Sequence, residues 1–303
     1  MCIRDSAAGA RPLGRGRPQG PLLIETGTIA GVRAWRAGLG GEVGLVPTMG
    51  FLHEGHVSLV ERARRENAHV AVSLFVNPTQ FGPREDLARY PRDLERDRAL
   101  LAGAGCDLLF APSPEEMYAR GAATAVDVGP VAEPLEGVRR PGHFRGVATV
   151  VLKLLNIVRP DRAYFGEKDA QQLAVIRRLV RDLDVPVAIV GCPTVREADG
   201  LAKSSRNSYL DPDDRRAAPV LYRALSTARD AWARGERSPA ILRALMTSVL
   251  ASEPRARVDY VSAADPSSFE ELAEPTKGPL LLSMAVQVGR ARLIDNVVLL
   301  PAD

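Results

Sequence analysis

Short apolar runs alternate with longer amphipathic segments along the chain from residue 43 onward. The apolar runs predict five β-strands, and the second is almost unbroken in its apolarity, as in a strand covered on both faces of a parallel sheet. The predicted strands span residues 43–47, 69–76, 106–112, 162–167 and 185–191. Apolar residues at helical spacing predict helices between them, most clearly over residues 147–158. Strands that alternate with helices predict a doubly wound α/β sheet, in which ligands bind at the carboxyl ends of the strands.

The pattern changes after about residue 195. Asp211 and Pro212 are typical of a helix N-cap and first turn, and they predict a helix that continues to about residue 234. A second helix is predicted near residues 238–252. Three β-like stretches follow, near residues 256–262, 279–288 and 291–300. This part of the chain therefore predicts a smaller α+β domain.

Length and charge constrain the domain count and the partners. A chain of 303 residues exceeds what one core usually organises, so we predict one domain over residues 21–194 and another over residues 195–303. Residues 1–20 are rich in Gly, Pro and Arg, which predicts a disordered tail. That tail holds four arginines and one aspartate, and so accounts for the whole formal net charge of +3. The neutral remainder argues against a nucleic-acid partner.

The sequence also disfavours a membrane-spanning protein and a disulfide-stabilised protein. No apolar run approaches the roughly 18 residues that a membrane-spanning helix needs, so no membrane partner is expected. The three cysteines, Cys2, Cys106 and Cys192, have unrelated spacings that match neither a disulfide framework nor a zinc site. These features predict a cytoplasmic protein.

The stretch GFLHEGHVSLV, residues 50–60, contains two of the four histidines in the chain. His53 and His56 follow the first predicted strand and open the first predicted helix, where free N–H groups and a partial positive charge favour phosphate. Gly55 lacks a side chain and would let a flat base approach the backbone. The pattern indicates a nucleotide or phosphate site, and the alternative is a pair of surface or core-edge histidines.

Two basic segments could complete such a site. The stretch YFGEKDAQQ, residues 164–172, contains Lys168, which is informative because the chain has only four lysines against 36 arginines. The stretch GLAKSSRNSYL, residues 200–210, combines two cations and two hydroxyls in a composition that suits an oligophosphate. The alternatives are a solvated charge pair at a helix start for the first segment and a solvated loop for the second.

Two further stretches follow or precede regular elements. In FVNPTQFG, residues 75–82, Asn77 and Gln80 stand at the end of the second predicted strand, where neutral amides could bind hydroxyls or a carboxylate. In RPGHFRGVATVV, residues 140–151, His143 and Arg145 stand just before the clearest predicted helix. Each stretch alone is more often turn and cap chemistry than a binding site.

Together these motifs are similar to a known family. A strand-end HxGH and a Lys-Ser-Ser-Arg loop resemble the nucleotidyltransferase superfamily. The longer stretches VGLVPTMGFLHEGHVSLV, FVNPTQFG, RPGHFRGVATVVLKLLNIVRPDRAYFGEKDAQQL and DGLAKSSRNSYL resemble the pantothenate synthetase (pantoate–β-alanine ligase) family from about residue 22 to the C-terminus. The resemblance implies ATP-dependent condensation of (R)-pantoate with β-alanine through a pantoyl adenylate. It also implies Mg²⁺, a Rossmann-like N-terminal domain, a C-terminal lid domain and a homodimer.

The resemblance also assigns residues to the site. It places at the ATP site Met49, Gly50, Phe51, Leu52, His53, Glu54, Gly55, His56, Gly166, Glu167, Lys168, Asp169, Val195, Lys203, Ser204, Ser205 and Arg206. Among these it implies catalytic roles for His53, His56, Lys168, Ser204, Ser205 and Arg206. It places pantoate at Asn77, Gln80 and Gln172, and Mg²⁺ near Asp97. One departure is a connecting loop with Glu136 and Val138, where smaller or less charged residues are expected.

Two rival functions remain at this point. One is another HxGH nucleotidyltransferase that acts on a different carboxylate or phosphate acceptor, although the amides of Asn77, Gln80 and Gln172 favour a carboxylate–polyol acceptor. The other is a non-catalytic nucleic-acid-binding protein that uses the arginine-rich tail, which the neutral body of the chain disfavours.

Overall fold

The computed structural model describes residues 23–82, 87 and 90–301. The predicted disordered tail, residues 1–20, lies outside the described residues. The elements up to the end of the first sheet are β1 (Ile24–Thr26), α1 (Ile29–Ala37), β2 (Val43–Thr48), α2 (Glu54–Glu66), β3 (His69–Leu74), α3 (Leu94–Gly103), β4 (Leu108–Phe110), α4 (Pro114–Met117), α5 (Glu136–Arg139), α6 (His143–Val158), β5 (Arg162–Gly166), α7 (Ala170–Asp182) and β6 (Ala188–Cys192). The remaining elements are α8 (Pro212–Ala217), α9 (Val220–Ala233), α10 (Pro239–Ala251), β7 (Ala256–Ala264), β8 (Leu280–Val288) and β9 (Ala291–Leu299).

Strands β1 to β6 form one parallel sheet in the order β1-β4-β3-β2-β5-β6. The five strands predicted from the sequence correspond to β2 to β6, and the doubly wound α/β prediction is confirmed. Apolar side chains cover both faces of the sheet. Val43 and Leu45 share a cluster with α1, α6 and α7, whereas Val46 and Leu109 share a cluster with α2 and α3. Burial on both faces explains the nearly continuous apolarity of the strand sequences.

Strands β7, β8 and β9 form a separate antiparallel sheet. On one face, Leu282 and Met284 of β8 pack with α9 and α10. On the other face, Leu281 packs with Phe144 and Val175, which belong to α6 and α7. The small sheet is therefore joined to the large one through an apolar contact. The division of the chain at residues 194 and 195 stays a prediction.

The single helix predicted from Asp211 to about residue 234 is wrong, because two helices occupy this segment. Asp211 does cap the first, α8, by accepting hydrogen bonds from the backbone N–H groups of Asp213 and Asp214. Pro219 then precedes α9. Proline has no N–H with which to continue the hydrogen-bond ladder of α8, so the first helix ends before it. None of the helices in the described ranges is long and apolar enough to cross a membrane.

A charged network links helix α5 to the small sheet. Glu136, which is only 7% exposed, accepts two hydrogen bonds from the guanidinium group of Arg292 in β9, at 2.8 and 2.9 Å. Asp259 accepts two more from the same group. Glu136, which departs from the residue expected in the connecting loop, therefore belongs to helix α5 and pairs with Arg292 of the small sheet. Val138 is 67% exposed.

We expect Arg292→Met to lower the free energy of unfolding by about 3 kcal/mol, because it leaves the buried carboxylate of Glu136 without its cation. Urea unfolding measures this loss. The matched control is Arg178→Met, which removes an exposed ion pair between Arg178 and Asp182 on the same helix. This change should lower the free energy of unfolding by less than about 0.5 kcal/mol. Equal losses in the two variants would contradict the assignment.

Candidate active site

The strand order reverses between β2 and β5, and a cavity of about 220 Å³ lies at their carboxyl ends. These strands pair only near their starts, with Gly44 opposite Arg162 and Leu45 opposite Ala163, so they separate towards the cavity. Residues that follow β2, β3, β5 and β6 line it, together with α6 and residues 203–206. This is the crevice in which doubly wound sheets bind ligands.

His53 and His56 cap the start of helix α2. Nδ1 of His53 accepts a hydrogen bond from the backbone N–H of Gly55 at 3.1 Å, and Nδ1 of His56 accepts one from the backbone N–H of His53 at 3.3 Å. Because each Nδ1 is an acceptor, the proton of each neutral ring resides on Nε2. Both rings line the cavity, with their centroids 4.0 Å apart. The pair therefore offers two Nε2–H donors.

Gly55 is required by this arrangement. A Cβ atom at this position would lie 2.9 Å from Nδ1 and Cε1 of His53, closer than real Cβ atoms approach such neighbours. Any larger residue would displace the His53 ring from its capping position. The glycine between the histidines thus serves the helix cap, in addition to any close approach by a nucleotide base.

Both histidines are neutral near pH 7. Burial lowers the pKa of His53 to about 4, and the nearby cation of Lys168 contributes to the same effect. Burial also lowers the pKa of His56 to about 3, with a smaller contribution from His53. The imidazoles can therefore donate hydrogen bonds to an anion, but they add no positive charge to the cavity.

The turn between β2 and α2 is held by a buried carboxylate. Asp97 of α3 is 1% exposed, and its two oxygens accept hydrogen bonds from the backbone N–H groups of Phe51 (2.8 Å) and Leu52 (2.7 Å). Burial raises the pKa of Asp97, against the effect of these two donors. Phe51 has a φ of 52°, in the left-handed region, and its carbonyl accepts a hydrogen bond from the Ser205 hydroxyl. Asp97 is thus placed to fix the turn that presents the histidines.

Asn77 orients Gln80 at the end of β3. The Asn77 amide group donates to Oε1 of Gln80 at 3.0 Å and to the carbonyl oxygen of Gly146, and its own oxygen accepts from the Tyr118 hydroxyl. Since Oε1 of Gln80 is engaged, its Nε2 group points the other way, towards the sulfur of Met49 at 3.2 Å and the cavity. Gln80 therefore presents a hydrogen-bond donor, whereas Asn77 is used internally.

His143 supports Gln80 from the start of α6. Its Nδ1 lies 2.9 Å from the Gln80 carbonyl oxygen, which can only accept, so Nδ1 carries the proton and Nε2 accepts from Arg140 at 3.0 Å. The absence of a side chain at Gly146 permits close packing here, because a Cβ atom would lie 2.5 Å from the Thr79 carbonyl oxygen. The packing explains why a histidine and a glycine stand one turn apart at this helix start.

The segment Glu167–Asp169 follows β5 as a single 3-10 turn. Nζ of Lys168 lies 3.6 Å from the Asp169 carboxylate. Burial alone would raise the pKa of Asp169, but the cations of Lys168 and Arg206 outweigh it and the pKa is lowered. Asn296 of β9 donates to the carbonyl oxygens of Glu167 (3.1 Å) and Lys168 (2.7 Å). The turn is therefore supported from the small sheet.

Residues 203–206 close the cavity opposite this turn. Nζ of Lys203 lies 2.9 Å from the Glu54 carboxylate and 3.1 Å from that of Glu197. Ser204 caps the 3-10 turn Ser205–Tyr209 by accepting from the Arg206 N–H. Within the described residues the lining thus includes four cations and one carboxylate, which are Arg140, Lys168, Lys203, Arg206 and Asp169. This excess of positive charge suits a polyphosphate.

Comparison with known proteins identifies the family. The model of the family described as pantoate-beta-alanine ligase matches residues 25–298. A pantothenate synthetase of Roseiflexus sp. (strain RS-1) is 61% identical over 272 residues, which cover 90% of this chain and 98% of that protein. A pantothenate synthetase structure from Thermus thermophilus matches with a TM-score of 0.86 at 55% identity, over 90% of this chain and 98% of that one.

The chain belongs to the pantoate–β-alanine ligase family. Another structural relative is the pantoate-beta-alanine ligase of Francisella tularensis, which was solved in complex with beta-gamma ATP and beta-alanine. It has a TM-score of 0.75 and 36% identity, over 91% of this chain and 98% of that one.

The structure brings most of the residues assigned by family resemblance to one cavity. Those that line it are Met49, His53, Gly55, His56, Asn77, Gln80, Gly166, Lys168, Asp169, Gln172, Val195, Lys203, Ser204, Ser205 and Arg206. Those that lie beside the lining are Gly50, Phe51, Leu52, Glu54, Glu167 and Asp97. Their positions favour a role in shaping the loops, and direct contact with ATP or Mg²⁺ stays a prediction for them.

Some lining residues were not assigned from the sequence. His143 was interpreted as turn or cap chemistry, and Arg140, Tyr90 and Thr194 were not singled out. The RPGH motif directly before the clearest helix was the available signal for Arg140 and His143. Arg145 is exposed and does not line the cavity.

The side chains around the cavity do not suit a resident metal ion. No group of three or more His, Cys, Asp or Glu side chains in the described part of the chain is placed to hold one. Both oxygens of Asp97 already accept backbone hydrogen bonds. The described residues therefore contain no ready-made site with three such ligands, and Mg²⁺ near Asp97 stays a prediction.

We expect His53 and His56 to remain neutral from about pH 8 down to about pH 5. A histidine with a lowered pKa in the folded state stabilises the fold above its unfolded pKa of about 6.5 and loses that contribution as the pH falls towards 4. Ring C–H chemical shifts measured by NMR should stay constant over the range and move below it. A titration midpoint near the ordinary value of 6.5 for either ring would contradict the described burial.

Asp97→Asn should lower the free energy of unfolding by about 1–3 kcal/mol, because an amide NH₂ cannot accept the second backbone hydrogen bond of the turn. Urea unfolding of the protein without nucleotide measures this change. If Asp97 were instead a Mg²⁺ ligand, the variant would keep its stability and require more Mg²⁺ for activity. That result would refute the role of Asp97 in fixing the turn between β2 and α2.

Proposed function

We propose that this chain catalyses the ATP-dependent condensation of (R)-pantoate with β-alanine, giving pantothenate, AMP and diphosphate. The observation that carries the proposal is the convergence of three segments on one cavity. The HxGH start of α2, the Lys168 turn and residues 203–206 surround a space that also contains the amides of Gln80 and Gln172. Membership of the family supports the same reaction.

The first step activates the carboxylate of pantoate. A carboxylate oxygen attacks the α-phosphorus of ATP, the bond from that phosphorus to the bridging oxygen breaks, and diphosphate leaves with the bonding electrons. The difficulty is to bring one anion to another. Four cations in the lining, the positive end of α2 and the Nε2–H groups of His53 and His56 reduce this repulsion and stabilise the charge that develops.

The second step forms the amide bond. The neutral amine of β-alanine attacks the acyl carbon of pantoyl adenylate, the bond from that carbon to the AMP oxygen breaks with its electrons on AMP, and the nitrogen loses a proton to solvent water. With pKa values of about 4 and 3, His53 and His56 are too weak as bases to retain that proton near pH 7. We therefore assign both histidines to donation towards phosphate oxygens. No covalent attachment to the protein is needed.

The remaining roles follow from position and charge. Lys168, Lys203 and Arg206 would bind the phosphates of ATP, with hydroxyl groups of Ser204 and Ser205 beside them, and Asp169 would bind the ribose. Gln80 and Gln172 would hold pantoate, and Gln80 would do so through its Nε2 group, which has a second N–H beside the one directed at the Met49 sulfur. Asn77 would act through Gln80. Gly166 and Val195 would pack against the nucleotide.

The family resemblance supports three further proposals. The nucleotide is bound as its Mg²⁺ complex, with the ion carried mainly by phosphate oxygens. The active form is a homodimer, which light scattering can test. The enzyme acts in the cytoplasm, and the buried, unpaired thiols of Cys106 and Cys192 fit a reducing compartment.

The deciding experiment follows the products. The purified protein is incubated with MgATP and (R)-pantoate, with and without β-alanine, and AMP, diphosphate and pantothenate are quantified. We expect AMP and pantothenate in equal amounts over many turnovers only when β-alanine is present. A product that retains the nucleotide, with no free AMP, would instead indicate a nucleotidyltransferase with another acceptor.

Gln80→Ala should raise the KM for pantoate by about 10- to 100-fold, since it removes a hydrogen bond to a charged group. The KM for ATP should change less than about twofold, because uniform loss of one substrate contact affects that substrate alone. Steady-state kinetics measure both values. Ser252→Ala, which removes an exposed hydroxyl group at the end of α10, is the control and should leave both constants unchanged. An effect of Gln80→Ala on ATP only would refute the pocket assignment.

A further inference from the structure

Two adjacent residues of β9 hold two different segments of the cavity. Asp295, which is 3% exposed, forms a bidentate ion pair with Arg196 at 2.7 and 2.9 Å. Arg196 pairs with Ala202 in the hairpin that leads into Lys203. Asn296 donates from the next position to the carbonyl groups of the Lys168 turn. Successive strand residues point to opposite faces, so one strand reaches both segments.

The Lys168 turn is supported from outside as well as from within. The hydrogen bonds of a 3-10 turn have poorer geometry than those of an α-helix, and a carbonyl oxygen can accept a second hydrogen bond from elsewhere. Neither Gly166 nor Asp169, the residues at its two ends, makes a side-chain cap hydrogen bond. Asn296 supplies donors to two consecutive carbonyls, at 3.1 and 2.7 Å. The conformation of the Lys168 backbone is therefore coupled to β9.

Strand β9 is a firm support for this contact. It pairs with β8 in unbroken register from Leu280 opposite Leu299 to Val288 opposite Ala291. Asn296 does not line the main cavity, but it lines an adjoining one together with Lys168 and Gln172. Its hydrogen bonds to the main site run through the carbonyl groups of Glu167 and Lys168.

We propose that Asn296 is a positioning residue for the nucleotide. It holds the Lys168 turn to β9, while the neighbouring Asp295 holds the hairpin of Lys203, and together they set the separation of the two ammonium groups. The inference rests on the proposed roles of Lys168 and Lys203 at the phosphates of ATP. It goes further by assigning the spacing of these cations to one strand of the small sheet.

The test compares two variants with a control on the same strand. Asn296→Leu keeps the volume and removes the donors, and Asn296→Ser is too short to reach the carbonyls but stays polar. We expect both to raise the KM for ATP by about 10-fold, as for the loss of a hydrogen-bond network of about 1.4 kcal/mol, with the KM for pantoate within about twofold of wild type. Val298→Ala, at an exposed position two residues along β9, should change neither constant.

A double variant tests whether Asn296 acts by positioning Lys168 or by stabilising the whole site. If Asn296 acts through Lys168, adding Asn296→Leu to Lys168→Met should lower single-turnover formation of pantoyl adenylate by less than about twofold beyond Lys168→Met alone. If the double variant loses the product of the two separate rate reductions, Asn296 acts independently of Lys168. Equal increases in the KM values for ATP and pantoate would show general loosening, and either result overturns the inference.

The outcome also distinguishes this inference from the proposed function. If wild type and Val298→Ala release no AMP with all substrates present, the proposed function fails. If both release AMP and the two Asn296 variants keep the wild-type KM for ATP, the function stands and the positioning role of Asn296 is refuted.

Discussion

The reversal of strand order between β2 and β5 is the constraint on which the site depends. Because these neighbouring strands pair only near their starts, their carboxyl ends diverge and leave a space that no side chain of the sheet has to fill. The chain leaves β2 towards α2 and leaves β5 towards α7, so two helix starts face the same space. Each brings its own polar groups, the histidines on one side and the Lys168 turn on the other. Residues distant in sequence thereby meet without any long loop.

Cationic side chains and neutral hydrogen-bond donors occupy different positions around this space. The cations lie on turns and loops, where long side chains can follow phosphates, whereas hydrogen bonds to neighbouring groups fix the direction of His53, His56 and Gln80. Gln80 is an example, because Asn77 holds its oxygen and directs its Nε2 group towards Met49 and the cavity. Burial keeps His53 and His56 uncharged, so their contribution is one of direction. Such a division lets the cavity attract a polyanion and still distinguish the positions of its oxygens.

Sequence patterns predicted the central strands, helices α6 and α7, and the three strands of the small sheet, because each has a continuous apolar face. They missed β1, which has three residues, and α3, which buries a carboxylate beside its apolar residues. The break at Pro219 was overlooked because the apolar spacing continues across it. The HxGH motif and the two basic segments predicted residues that the structure brings to one cavity. Asp97, His143 and Asn296 hold the site through backbone groups, and such contacts depend on tertiary positions that spacing along the chain does not contain.

The reciprocal cap of α2 has a consequence for how a ligand is met. Since the Nδ1 atoms are already engaged by the helix's own backbone, a phosphate that accepts from the Nε2–H groups disturbs no existing hydrogen bond of the pair. The tautomer and the ring orientation are fixed before anything binds. The entropy of ordering these donors is therefore lost when the protein folds and not when the nucleotide arrives. The fold of the α2 N-terminus therefore pre-organises two phosphate donors before the nucleotide binds.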